Sequence, residues 1–207
     1  MLISHKHKFI FIHIQKTAGT SISSALNPFC EESYPFLKHW SAVQIKEKFG
    51  SDIWNEYFKF TFIRNPYERL YSWYNMIDKC RDTPNPNPFH LYIQKNIHSF
   101  SDFIMKDKSS SDINELGWRL PPQRIAQFQK ISGKKRVIID FIGRYENING
   151  DFSYICEKLN IPEIILPHMN KFDHDHYMNY YTKEMINEVN SFAEEDFIHF
   201  YNKQDTI

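Results

Sequence analysis

The sequence predicts an α/β fold, a three-layer sandwich in which helices flank a central parallel sheet, and three observations lead there. Short apolar runs rich in aromatic and β-branched residues recur at 9–14, 58–63 and 136–143, each suited to a strand buried on both faces. Turn or capping residues follow each run. Apolar residues at helical spacing come next, and such alternation builds a parallel sheet covered on both sides by right-handed crossovers. A chain of 207 residues, 42% of them hydrophobic, can bury a substantial core, and a single domain over 1–207 is expected.

The N-terminal segment MLISHKHKFIFIHIQ reads as the first strand, since its apolar run is too short for a membrane span. It breaks at His13-Ile14-Gln15-Lys16-Thr17-Ala18-Gly19-Thr20-Ser21, where a lysine, three hydroxyls and a glycine crowd the strand end. Thr20 or Ser21 can cap a helix running to about Leu26. Unpaired N–H groups at a helix start, the helix dipole, the Lys16 charge and the hydroxyls together make an anion cradle. The layout is P-loop-like without being the nucleotide motif GxxxxGK[ST]: Lys16 precedes the glycine, and no glycine stands where the first one of that motif would. The loop alone is equally compatible with an ordinary strand–turn–helix carrying a solvated lysine.

Asn27-Pro28 ends the first helix. Ser41 is a cap for a helix over 42–49 with Gly50 as its stop, and Asp52 caps a short helix through Ile53, Trp54 and Tyr57. The second strand, FKFTFI, ends at Arg64-Asn65-Pro66; proline suits a first helical turn, and Leu70, Trp73, Tyr74 and Ile77 then recur at amphipathic spacing over 67–79. Three prolines make 82–90 a loop, 96–106 holds a short helix, 108–112 is a serine-rich turn, and Leu120-Pro121-Pro122-Gln123 is irregular. A helix through about Leu159 follows the third strand, and Thr182 caps one or two closing helices.

Basic and acidic residues balance at 25 each, so neither nucleic-acid nor membrane-surface binding is suggested. Cys30, Cys80 and Cys156 are scattered and odd in number, which points away from a disulfide framework or a zinc site and toward a reduced, cytoplasmic setting. Asp173-His174-Asp175-His176 lacks a separated further ligand, and no metal is expected.

Ligands in open α/β sheets gather beyond the carboxyl ends of the strands, where both Lys16 and Arg64 fall. A strand-end arginine presents a planar fork to a phosphate, and the Ser72 hydroxyl, on the helix that follows, can look back toward the same anion. Glu68 and Arg69 read as an exposed first-turn pair.

Together these motifs resemble the sulfotransferases that use 3′-phosphoadenosine 5′-phosphosulfate (PAPS), in particular the carbohydrate branch that includes heparan sulfate 2-O- and chondroitin sulfotransferases. HIQKTAGTS resembles the 5′-phosphosulfate loop of that family and FIRNPYERLYS its 3′-phosphate motif. FIGRYENINGDF and the closing YYTKEMINEVNSFAEEDFIHF extend the likeness along nearly the whole chain. The resemblance implies a PAPS-dependent enzyme moving a sulfuryl group to an acceptor hydroxyl, of a carbohydrate, with 3′-phosphoadenosine 5′-phosphate (PAP) as product and no metal. It implies that Lys16 stabilises the leaving oxygen, that Lys16, Thr17, Ala18, Gly19, Thr20 and Ser21 hold the 5′ end, and that Arg64 and Ser72 hold the 3′-phosphate. KHWSA resembles the place of the base histidine, which would make His39 the base; a partly buried or surface histidine with no such role is the plainer alternative. His13 is expected to pack, and Gln123 and Arg144 to line the cleft. A P-loop kinase or NTPase, or a non-catalytic nucleotide- or glycan-binding module, are the competing functions. The displaced lysine and the lack of an aspartate after FKFTFI for magnesium stand against the kinase.

Overall fold

A computed structural model describes residues 1–34, 37–79, 91, 94–106, 122–167 and 176–201. The loop expected at 82–90, the turn at 108–112 and Asp173 to Asp175 of the acidic-histidine cluster lie outside the described residues. In chain order the elements are β1 (Leu2–Ser4), β2 (Phe9–Ile12), α1 (Gly19–Leu26), β3 (Glu32–Ser33), α2 (Ala42–Glu56), β4 (Phe58–Ile63), α3 (Pro66–Lys79) and α4 (Phe100–Met105). Then follow α5 (Gln127–Ile131), β5 (Ser132–Gly133), β6 (Arg136–Val137), β7 (Phe141–Arg144), α6 (Ile148–Lys158), α7 (Lys183–Phe192) and α8 (Glu194–His199). Two compact units result: Met1–Arg64 with Gln127–Asp173, and Asn65–Ala126 with His174–Ile207.

The first unit holds a mixed sheet of order β3-β1-β2-β4-β7. Its centre is parallel, as the sequence predicts: Phe9 lies opposite Phe58 and Phe60 opposite Phe141. The edge beyond β2 is not. The N-terminal segment is two strands, with β1 antiparallel to β2 and β3 antiparallel to β1. The polar run His5-Lys6-His7-Lys8 turns the chain, Lys8 taking a positive φ of 50° and the His7 N–H donating to Ser4 Oγ. Strands of two or three residues carry too little periodicity to be read from sequence.

The third expected strand also divides. Arg136–Val137 pairs with Ser132–Gly133 in a separate hairpin, and β7 begins only at Phe141. Asp140 marks that entry: its carboxylate accepts from the Lys59 N–H at 2.7 Å and pairs with Lys59 Nζ at 2.8 Å. Lys59, buried within FKFTFI, thus meets a carboxylate and also donates to the Trp54 carbonyl of α2 at 2.9 Å. A buried cation needs such partners.

On one face of the sheet Phe9, Phe11, Phe60 and Phe62 pack with Ile22, Ala25 and Leu26 of α1 and Phe152, Ile155 and Cys156 of α6. Each buried phenylalanine contributes about 1.5–3 kcal/mol of transfer free energy. The Phe62 ring lies across Gly143 of β7, where a Cβ would stand 2.5 Å from it. The two helices expected on either side of Gly50 are both present within α2: Gly50, at φ 84° and ψ 166°, leaves the helical path and separates them. Ser41 caps it in a reciprocal box with Gln44.

In the second unit Asn65 Oδ1 accepts from the N–H groups of Tyr67 and Glu68, so α3 starts on an asparagine cap with Pro66 in its first turn. Tyr67 donates to Asn190 of α7 at 2.7 Å, and Arg124 pairs with Glu188. Thr182 caps α7, accepting from the Met185 N–H. Among the described residues no helix is long and apolar enough to cross a membrane.

Candidate functional site

The turn between β2 and α1 is built on two left-handed residues that are not glycine, Lys16 (φ 67°) and Ala18 (φ 62°). Such conformations cost about 1–2 kcal/mol each and persist where the surroundings enforce them. A left-handed residue followed by helical ones turns consecutive N–H groups to one side, a concavity suited to an anion. The helix starts earlier than expected: Ala18 is its cap, with no side-chain bond, and Thr20 and Ser21 sit inside the first turn. Thr20 is exposed, Ser21 buried. Thr17, also buried, donates its hydroxyl to the Ile14 carbonyl at 3.0 Å and so pins the loop.

Parallel pairing brings the ends of β2, β4 and β7 to one edge, with Ile12 opposite Thr61 and Ile63 opposite Arg144. Arg64 emerges there, 7% exposed. The Gln127 side-chain amide brackets its backbone, accepting from the Arg64 N–H at 2.9 Å and donating to its carbonyl at 2.8 Å. The guanidinium carbon lies 3.9 Å from the centre of the Tyr145 ring, and one N–H reaches the Lys16 carbonyl at a long 3.5 Å. Lys16 and Arg64 are therefore brought together. Sequence reasoning missed Tyr145 and Gln127; the signal for Tyr145 was its place at the end of the third parallel strand, and Gln127 had none.

His39 is part-buried, and its Nδ1 lies 3.1 Å from the His13 carbonyl. A carbonyl only accepts, so Nδ1 carries the proton and Nε2 keeps its lone pair in the neutral ring. Burial pushes the His39 pKa down to about 4, the hydrogen bond to His13 opposes this, and the charges of Lys38 and Lys130 push the same way as burial. Lys130 Nζ also donates to the His39 carbonyl at 3.0 Å. The His13 ring sits edge-on to His39 with centroids 4.9 Å apart, and it fills the place of a Gly19 side chain, whose Cβ would fall 2.1 Å from it. His13 packs, as expected; burial holds it well below the usual imidazole range, and its Nδ1 has no hydrogen-bond partner among the described residues.

The remaining expected residues fall elsewhere. Ser72 belongs to the second unit, buried on α3. Arg69 is not an exposed partner of Glu68: it is 1% exposed and donates to the carbonyls of Gln123 and Ile125 at 3.4 and 3.3 Å. Burial lowers its pKa, opposed by Asp196, itself wholly buried. Gln123 is buried in that same arrangement, whereas Arg144 is exposed and gives its N–H to Asp151 at 2.6 Å. Among the described residues no group of three or more histidine, cysteine or acidic side chains could hold a metal ion.

Comparison with known proteins adds three findings. An uncharacterized protein of Archaeoglobus fulgidus is 26% identical over 139 residues, 66% of this chain and 95% of that protein. No solved structure matches. The profile of the sulfotransferase family matches residues 1–203, a span that takes in both units, the turn at Lys16 and the strand end at Arg64. With all but the last few residues inside that match, the chain belongs to the sulfotransferase family.

Proposed function

We propose that this protein is a PAPS-dependent sulfotransferase that delivers a sulfuryl group in line to an acceptor hydroxyl, of a carbohydrate, on a P-loop-like three-layer sandwich. One observation carries the reading: the guanidinium of Arg64 reaches the carbonyl of Lys16, so two anion-binding strand ends share one edge of the first unit. An adenosine carrier charged at both its 3′ and 5′ positions is the ligand chemistry such a pair fits. The donor supplies the activated sulfuryl group; everything else falls to the chain.

The N–H groups of Thr17, Ala18, Gly19, Thr20 and Ser21, turned together by the left-handed residues, bind the 5′ end. Lys16 places a full positive charge where negative charge grows on the departing oxygen. Arg64 and Ser72 take the 3′-phosphate, the arginine through two parallel N–H groups. His39, neutral at physiological pH with Nε2 bare, accepts the proton of the acceptor hydroxyl.

Thermal unfolding with PAP tests this reading. The wild type should be stabilised by about 2.7 kcal/mol at a nucleotide concentration of 100 Kd. Lys16→Ala and Arg64→Ala should each abolish the shift, while His39→Gln keeps it and loses about 10²–10⁴-fold in transfer of labelled sulfate to carbohydrate acceptors. Absence of a shift in the wild type, or tighter binding of magnesium ATP than of PAP, would sink the reading.

A further inference from the structure

We propose that Tyr145, with Gln127, is a positioning residue for Arg64, and that together they let the protein distinguish a nucleotide bearing a 3′-phosphate from one without it. The inference rests on the assignment of Arg64 made above. An arginine reads a phosphate through a planar fork, and the reading is selective only when that plane is held. Arg64 lies one residue past the end of β4, where the sheet ladder stops. Gln127, wholly buried at the start of α5, supplies one more rung, since its amide pairs with both the N–H and the C=O of Arg64.

The side chain is fixed separately. Arg144, the last residue of β7, pairs with Ile63, so the next residue on each strand brings Tyr145 beside Arg64. The ring centre is 3.9 Å from the guanidinium carbon, within cation–π range. A ring set over the guanidinium carbon covers a face of the group and so restricts the plane in which its fork can lie. Tyr145 is half-buried, outside the close-packed core, so its replacement is compatible with folding.

Calorimetric binding of adenosine 3′,5′-bisphosphate and adenosine 5′-phosphate to the wild type, Tyr145→Phe and Tyr145→Leu tests the proposal. The wild type should favour the bisphosphate, and Tyr145→Phe, which keeps the aromatic face, should hold that preference within about twofold. Tyr145→Leu should lose roughly 3- to 30-fold of it, with affinity for the 5′-phosphate unchanged. Gln127→Glu keeps the acceptor for the Arg64 N–H but loses the donor to its carbonyl, and it should lower the preference in the same way. The ligand-free protein offers an independent readout: the ring-current shift on the Arg64 side-chain N–H signal should persist in Tyr145→Phe and vanish in Tyr145→Leu. Full preference in Tyr145→Leu, or an Arg64 signal that does not move, overturns the role of Tyr145; unchanged preference in Gln127→Glu removes Gln127. A wild type indifferent to the 3′-phosphate overturns the assignment of Arg64 itself, and the wild type alone reveals it.

Discussion

His39 and His13 carry the titration of this site, and both are held neutral by burial. For His39 the consequence has two parts. In the role of base proposed for it, it would stay competent far below the ordinary histidine range, so the acid limb of kcat/KM should fall near pH 4 and not near 6.5. For stability, the unfolded chain takes up the proton first as pH falls, because its histidine keeps the value of 6.5 while the folded one titrates at about 4. The stabilisation from neutral His39 is therefore full above about pH 6.5 and is lost as pH drops toward 4. Urea unfolding of the wild type and His39→Asn across that window checks the sign: the wild type should weaken more steeply, with His13 leaving a residual slope in the variant. Arg69 shows where residue-level reading from sequence fails. Its place in a first helical turn suggested solvent, but the carbonyls of Gln123 and Ile125 and the charge of Asp196 hold it in the interior.

At the scale of elements, the unit that matters is β2, its turn and α1. The glycine in HIQKTAGTS was legible as part of a turn, but its φ is not the reason for it. Gly19 is the first residue of α1, and a side chain there would overlap the His13 ring. Gly19→Ala gains about 0.5–1 kcal/mol of helix propensity and loses about 1–3 kcal/mol to overpacking, so a net destabilisation of up to about 2.5 kcal/mol is expected. Adding His13→Ala removes the obstruction, and the double variant should be more stable than the sum of the single effects implies, by about 0.5–3 kcal/mol. Strict additivity in denaturation midpoints would show that the ring and the helix start do not press on each other. The strands were legible in proportion to their length: β4, six residues long, has the bounds its sequence suggested, whereas β1 and β3 were absorbed or missed.

For the whole molecule, the sheet sets a hierarchy of local stability. β4 is paired on both sides and buried at all but its first residue, while β6 is exposed and belongs to a two-stranded hairpin. Hydrogen exchange should therefore leave the β4 amides protected longest and release β5 and β6 early. Equal protection across both sheets would contradict this order. The sulfotransferase match runs across both units, and the residues proposed for the 3′-phosphate divide between them, Arg64 ending one stretch and Ser72 lying in the other.

The sequence by itself determined the α/β class, the parallel centre of the sheet, and the two strand ends that bear Lys16 and Arg64. These depend on local signals: apolar runs, turn residues and a proline at a helix start. Only the tertiary structure decided what surrounds Arg64 and His39. Gln127 acts on Arg64 from 63 residues away, Tyr145 reaches it through the pairing of β7 with β4, and His39 takes its tautomer from the carbonyl of His13. Those arrangements come from contacts between segments distant in the chain, and such contacts leave no periodicity for a sequence to display.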